Sequence, residues 1–366
     1  MRITFILPGY VFTPSGGIRV VYEYANGLAA RGHEVTLVHP RRLMRFGPRP
    51  KLGIYGSARK AIFSLRNLVA RPTMGWQRID GAVKVLFAPS SDARYVPDGD
   101  VVVGAGYWTV PSLLAYPEHK GVKCYLVQGY EADRELVDAS LRLPVHKLVI
   151  ARWLGALCRD SGGGSPMYVP NAVDHARFHL TDAIERRPRQ VAMVFSSVPI
   201  KGSVDGIEAV RIARQHFADL RLVCFGTCRR EHWVPKWAEY YRNPEQEFMV
   251  REIYNKSSVF LAPSLSEGLG LPPIEAACCG CALVATDIPG FREYITDGVN
   301  GLLSPPQNPK ALAQNLCALL GDEKRRVDLA TEANRRALGL RWEPSFDLLE
   351  DYLARIRAAG PCGTGS

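Results

Sequence analysis

Two glutamates eight positions apart enclose a glycine-rich run, Ser266-Glu267-Gly268-Leu269-Gly270-Leu271-Pro272-Pro273-Ile274-Glu275. Ionised carboxylates accept hydrogen bonds from hydroxyl groups, and glycines let a ligand come close to the backbone. The run follows a strand-like apolar stretch, Ser258 to Pro263, and precedes small residues, Ala276 to Cys281, that can begin a helix. A strand, a glycine loop and a helix start bring backbone N–H groups toward an anion. This chemistry suits a ligand that carries both phosphates and hydroxyls, as a nucleotide sugar does.

Three smaller groups stand beside it. Lys201-Gly202 follows the strand-like run Val191 to Phe195. A lysine there can neutralise a departing diphosphate, or it is an ordinary surface lysine. Gly16-Gly17 lies in the loop between the first strand and the first helix. It is either a tight turn or a surface kept bare for a phosphate or sugar. It is not the three-glycine dinucleotide fingerprint, because His39-Pro40 stand where that motif needs an acid. Gln128-Gly129-Tyr130-Glu131 closes a strand. Gln128 and Glu131 are candidates to hold acceptor hydroxyls at a strand C-terminus. The alternative is a helix entry with acids in its first turn.

These side chains need elements to position them. Ile3–Leu7 reads as a strand, Ile18–Ala30 as a helix (Val20, Val21, Tyr24 and Leu28 on one face) and Val35–Val38 as a strand, forming a βαβ unit. Val101–Val103, Cys124–Val127 and Leu148–Ile150 continue the strand series. After the loop around Gly162-Gly163-Gly164 a second series begins, with strands Val191–Phe195, Leu220–Phe225, Val259–Ala262 and Leu283–Ala285. Helices follow over 206–217, 310–320, 322–338 and 342–358. A chain of 366 residues exceeds one ordinary core. The reading is α/β, with two Rossmann-like doubly wound domains over 1–170 and 171–340. A helix over 341–358 and a disordered tail over 359–366 complete it.

Charge and composition bound the function. Residues 41–90 hold eleven Lys or Arg and one acid, and the rest of the chain balances, so the net charge of +10 is local. Within this stretch, 57–71 has amphipathic helical spacing, which fits a helix packed on the sheet or a peripheral contact with an anionic membrane. No aromatic interleaving supports nucleic-acid stacking, so no nucleic acid is expected. No apolar run approaches the roughly 20 residues of a spanning helix, and the N-terminus lacks a signal-peptide cleavage site. The expected location is cytoplasmic, with a peripheral position at the inner membrane face compatible with the basic stretch. The nine cysteines lack a second pair at ligand spacing, and no metal is expected.

In order along the chain, the Glu267–Glu275 segment, Ala285-Thr286-Asp287, Gly290, Glu293 and Asp297-Gly298-Val299-Asn300-Gly301 resemble the donor-binding region of glycosyltransferase family 4. Gly16-Gly17, Val169-Pro170-Asn171-Ala172-Val173-Asp174, Lys201-Gly202 and the last helix extend the resemblance over nearly the whole chain. It implies a retaining enzyme of the GT-B fold, with two domains facing a cleft and the C-terminal helix crossing back to the first. It implies a nucleotide diphosphate sugar as donor and a sugar, lipid-linked or other hydroxyl acceptor, with no metal. By the resemblance, Glu275 binds the donor ribose and Glu267 lies near the donor sugar. The backbone of Gly268, Leu269, Gly270 and Leu271 holds sugar hydroxyls and phosphate. Lys201 stabilises the diphosphate, and Gly16 and Gly17 abut it from the first domain.

Two positions depart from the family. Ser196-Ser197 stand where relatives carry an arginine, with Arg19 and Arg229 as candidate substitutes, and Gln128-Gly129-Tyr130-Glu131 stand where relatives carry a histidine. An epimerase on the same fold is one alternative. Another is a basic membrane- or nucleic-acid-binding protein with a degenerate site.

Overall fold

The computed structural model describes residues 1–10, 13–43, 76–130 and 134–362. The expected helix over 57–71, most of the basic stretch and Glu131 lie outside these residues. The described chain forms two compact units. One comprises Met1–Gln128, Ala132–Val169 and Glu343–Ser366, the other Gly129–Glu131 and Pro170–Trp342.

In the first unit, seven strands form one parallel sheet in the order β3-β2-β1-β4-β5-β6-β7. They are β1 (Arg2–Ile6), β2 (Glu34–Pro40), β3 (Lys84–Ala88), β4 (Val101–Ala105), β5 (Val122–Val127), β6 (His146–Val149) and β7 (Met167–Tyr168). β4 is buried along its whole length, as expected of a strand covered on both faces. The helix after β1 spans Gly16–Ala30 and buries Val20, Val21, Tyr24 and Leu28. Gly16-Gly17 are therefore its first two residues and not a preceding loop. Their turn closes with the Arg19 N–H donating to the Ser15 carbonyl at 2.9 Å, so helix geometry takes hold one residue after the cap.

In the second unit, β8 (Gln190–Val194), β9 (Arg221–Gly226), β10 (Glu239–Arg242), β11 (Val259–Ala262), β12 (Ala282–Thr286) and β13 (Leu302–Ser304) pair in parallel in the order β10-β9-β8-β11-β12-β13. A core of Val191, Met193, Val210, Leu222, Leu261, Val284 and Leu316 joins sheet and helices. In each unit the strand order reverses once, between β1 and β4 and between β8 and β11. Doubly wound sheets bind ligands at the carboxyl ends of the strands flanking such a point.

The last helix, Trp342–Ala359, takes most of its length into the first unit. There Arg31 pairs with Asp347 at 2.7 Å and with Glu350 at 3.3 Å, and Glu350 meets His33 at 2.9 Å. The Tyr352 hydroxyl donates to the Lys147 carbonyl. Past the helix, the Gly360 carbonyl accepts a bond from His146 Nε2 at 3.0 Å. Among the described residues no helix is long and apolar enough to cross a membrane.

Candidate functional site

The second unit gathers its polar side chains at the β8–β11 reversal. After β8 the chain turns through Pro199–Lys201, and Gly202 (φ +63°) redirects it into the helix Ser203–Ala213. Only glycine fits there: the left-handed backbone strains other residues, and a Cβ would overlap the Pro263 carbonyl oxygen. The Leu265 N–H donates to the Ile200 carbonyl at 2.8 Å, which ties the loop after β11 to this turn. Lys201 and Glu267 thereby meet, Nζ to Oε2 at 2.8 Å, both part-buried. The other oxygen of Glu267 accepts from the Ser264 hydroxyl at 2.8 Å, and the Ser264 carbonyl accepts from Thr286 Oγ1. Tyr294 donates to the Gly270 carbonyl at 3.0 Å. Burial raises the Tyr294 phenol well above its ordinary pKa, and the Glu267 charge adds to the shift, so Tyr294 stays a neutral donor.

The helix at this loop spans Leu271–Cys278, five residues earlier than the small-residue run suggests. Pro272 and Pro273 sit in its first turn, where their missing N–H groups cost no helical bond. This placement puts Glu275 inside the helix, 3% exposed, with Oε2 accepting from the Tyr254 hydroxyl at 3.0 Å. It also sharpens where an anion could be held. Two prolines offer no N–H, so the amides of Gly268, Leu269, Gly270 and Leu271 are the donors ahead of the helix body.

Ser196-Ser197 do not present a cation. The Ser196 N–H donates to Ser203 Oγ at 2.9 Å, and its own hydroxyl accepts from the Val198 N–H at 3.2 Å, so Ser196 shapes the turn before Lys201. Arg229 is exposed just beyond β9, whereas Arg19 belongs to the first helix of the other unit.

The first unit has its own polar point at the β1–β4 reversal. Gln128 follows β5, and its Oε1 is buried without a hydrogen-bond partner among the described residues. A Cβ on Gly17 would stand 3.2 Å from that oxygen, so Gly17 and Gln128 lie against each other. Buried amide oxygens rarely go unpaired.

The cysteines are free. Burial pushes the Cys224 and Cys278 thiols up to about 12, so both stay protonated at neutral pH. Ser264, Tyr254 and Tyr294 were not singled out by the sequence, and Thr286 only within the Ala285-Thr286-Asp287 run. Ser264 sits three positions before Glu267, but nothing in the spacing links Tyr254 to Glu275.

Residues 181–336 match the family model of the glycosyl transferases group 1. That match covers β8 to the helix Glu323–Ala337, with Lys201, Glu267 and Glu275 inside it. A phosphatidyl-myo-inositol mannosyltransferase of Mycolicibacterium smegmatis is 24% identical, over 93% of this chain and 90% of that protein. D-inositol 3-phosphate glycosyltransferases of Frankia alni and Streptomyces bingchenggensis are 34% and 27% identical, over 72% and 78% of this chain. Those two matches span 62% and 56% of the relatives' own lengths. Sucrose-phosphate synthase from Thermosynechococcus elongatus superposes over 98% of this chain and all of that one, with a TM-score of 0.73 at 16% identity. HepE from Anabaena, solved with UDP and glucose, does so over 97% of this chain and all of that one, with a TM-score of 0.70 at 14% identity. The fold is GT-B.

Proposed function

We propose that this protein is a retaining glycosyltransferase of family 4, moving a sugar from a nucleotide diphosphate sugar to an acceptor hydroxyl in polysaccharide, glycolipid or glycoconjugate synthesis. The observation that carries the reading is the Lys201–Glu267–Ser264 arrangement at the β8–β11 reversal, inside the segment that matches the group 1 model. The relatives' names support glycosyl transfer, and the UDP held by HepE supports a nucleotide donor.

In this reading Glu275 accepts hydrogen bonds from the donor ribose. The amides of Gly268 to Leu271 hold sugar hydroxyls and phosphate. As the bond from the anomeric carbon to the phosphate oxygen breaks, Lys201 balances the charge developing on the diphosphate. The acceptor oxygen bonds to the same face of the anomeric carbon, and the departing phosphate oxygen takes the acceptor proton. No protein base is needed. Glu267 has both oxygens engaged, by Ser264 and by Lys201, which suits an orienting group better than a nucleophile. Gln128, whose Oε1 has no partner among the described residues, and Glu131 are assigned to acceptor hydroxyls, and Gly16 and Gly17 to the donor. The reading assigns no metal, because Lys201 and backbone amides supply the positive charge. A peripheral contact of 41–90 with anionic lipid rests on charge alone and would appear as vesicle binding that falls with salt.

Steady-state kinetics test the assignment. Lys201→Ala should lower turnover by about 100-fold or more. Glu275→Ala should raise the donor KM with turnover nearly kept, and chelation of divalent ions should change neither constant. Wild-type constants in both variants would contradict the site. Product formed from the donor alone, with no acceptor, would point instead to an epimerase.

A further inference from the structure

We propose that Tyr254 is a positioning residue for nucleotide recognition: its hydroxyl holds the Glu275 carboxylate in the orientation that meets the donor ribose. The proposal rests on the reading of Glu275 given above. Tyr254 ends the helical stretch Met249–Tyr254, which is wound in π fashion, with the Asn255 N–H donating to the Val250 carbonyl at 3.0 Å. Such one-turn insertions re-aim the side chains that follow and recur at functional sites. The Tyr254 ring is fully buried and meets Phe225, Phe260 and Phe178 at centroid distances of 5.6, 5.8 and 6.2 Å. Its carbonyl accepts from Arg187 Nη1 at 3.3 Å and from Cys281 Sγ at 3.1 Å. Backbone and ring are thus both held, and the hydroxyl donates to Glu275 Oε2 from a fixed point.

A side chain with three rotatable bonds costs entropy to order when a ligand arrives. Glu275, 3% exposed in the Leu271–Cys278 helix, is ordered beforehand by the Tyr254 donor. Tyrosine suits this task because its hydroxyl sits at the end of a rigid ring, packed by neighbours that do not depend on the ligand. A hydrogen bond to an ionised group is also among the stronger ones available.

Tyr254→Phe removes the hydroxyl and keeps the ring packing. The experiment is calorimetric binding of UDP, GDP, ADP and TDP, and of the 2′- and 3′-deoxy forms of whichever binds, to the wild type, Tyr254→Phe and Glu275→Ala. The expected result is a dissociation constant about tenfold weaker in Tyr254→Phe. That difference should vanish with the deoxy form lacking the hydroxyl that Glu275 holds, which a purely structural role for Tyr254 would not produce. Wild-type affinity in Tyr254→Phe with weak binding in Glu275→Ala would overturn the proposal and leave the role of Glu275 standing. Wild-type affinity in Glu275→Ala as well would overturn the ribose reading itself. If none of the four diphosphates bound the wild type, the donor site and the proposal would fall together.

Discussion

Lys201 and Glu267 are 66 positions apart in sequence and 2.8 Å apart in the fold, and each changes what the other can do. The carboxylate, bonded also to Ser264, loses its value as an attacking group. The ammonium is held on the loop whose amides precede the Leu271–Cys278 helix. Residue types at these positions were legible in the sequence, because a glycine loop between two glutamates is unusual. Their partners were not, because Ser264 and Tyr254 act through side-chain bonds that leave no periodic trace. A prediction at this scale concerns His39, which is fully buried. Its Nδ1 lies 3.2 Å from the Gly9 carbonyl, an acceptor only, so Nδ1 carries the proton and Nε2 accepts from Tyr22 at 3.3 Å. Both bonds are satisfied by the neutral ring. Burial lowers its pKa from 6.5 to about 4, with the Gly9 bond opposing the shift. The unfolded chain therefore binds the proton more readily, and folding weakens as pH falls from 6.5 toward 4. Above that window the penalty is absent. Unfolding in denaturant across this range should show the loss, and His39→Gln should flatten it. An unchanged slope in the variant would assign the pH dependence elsewhere.

Among the elements, the two reversal points do the positioning, and the turn at Gly202 is the tightest of their parts. It brings Lys201 beside the end of β11, and its φ of +63° leaves the Pro263 carbonyl where a Cβ would otherwise be. Gly202→Ala should cost roughly 1–3 kcal/mol of stability and displace the lysine, so turnover should fall with the melting temperature. A variant that melts and turns over like the wild type would show that the turn is not under this constraint. Helices and central strands followed from apolar periodicity, because burial on one face or on both writes a pattern. The edge strand β10 did not: Glu239-Tyr240-Tyr241-Arg242 pairs on one side and keeps charged ends. The three residues of β13 are too few to make a pattern. The start of the Leu271–Cys278 helix was obscured by Pro272-Pro273. Prolines read as breakers in a sequence, but in the first turn of a helix they are tolerated.

At the scale of the whole molecule, both units share the strand order 3-2-1-4-5-6 by position along each series, and the first adds β7 beyond β6. The layout follows from alternating strand and helix signals, because strands of a parallel sheet need a crossover between them, so the fold class could be read from the chain. Chemistry concentrates in the second unit, where the group 1 match, the Lys201–Glu267 pair and the Tyr254–Glu275 pair coincide. The central claim is that this unit holds a nucleotide diphosphate sugar. Thermal unfolding with a panel of nucleoside diphosphates and their sugars tests it most directly. At about 100 times the dissociation constant a true ligand adds about 2.7 kcal/mol to the wild type, and Glu275→Ala should lose most of that gain at the same concentration. A panel in which no nucleotide raises the melting temperature of the wild type, or raises both proteins equally, would contradict the account.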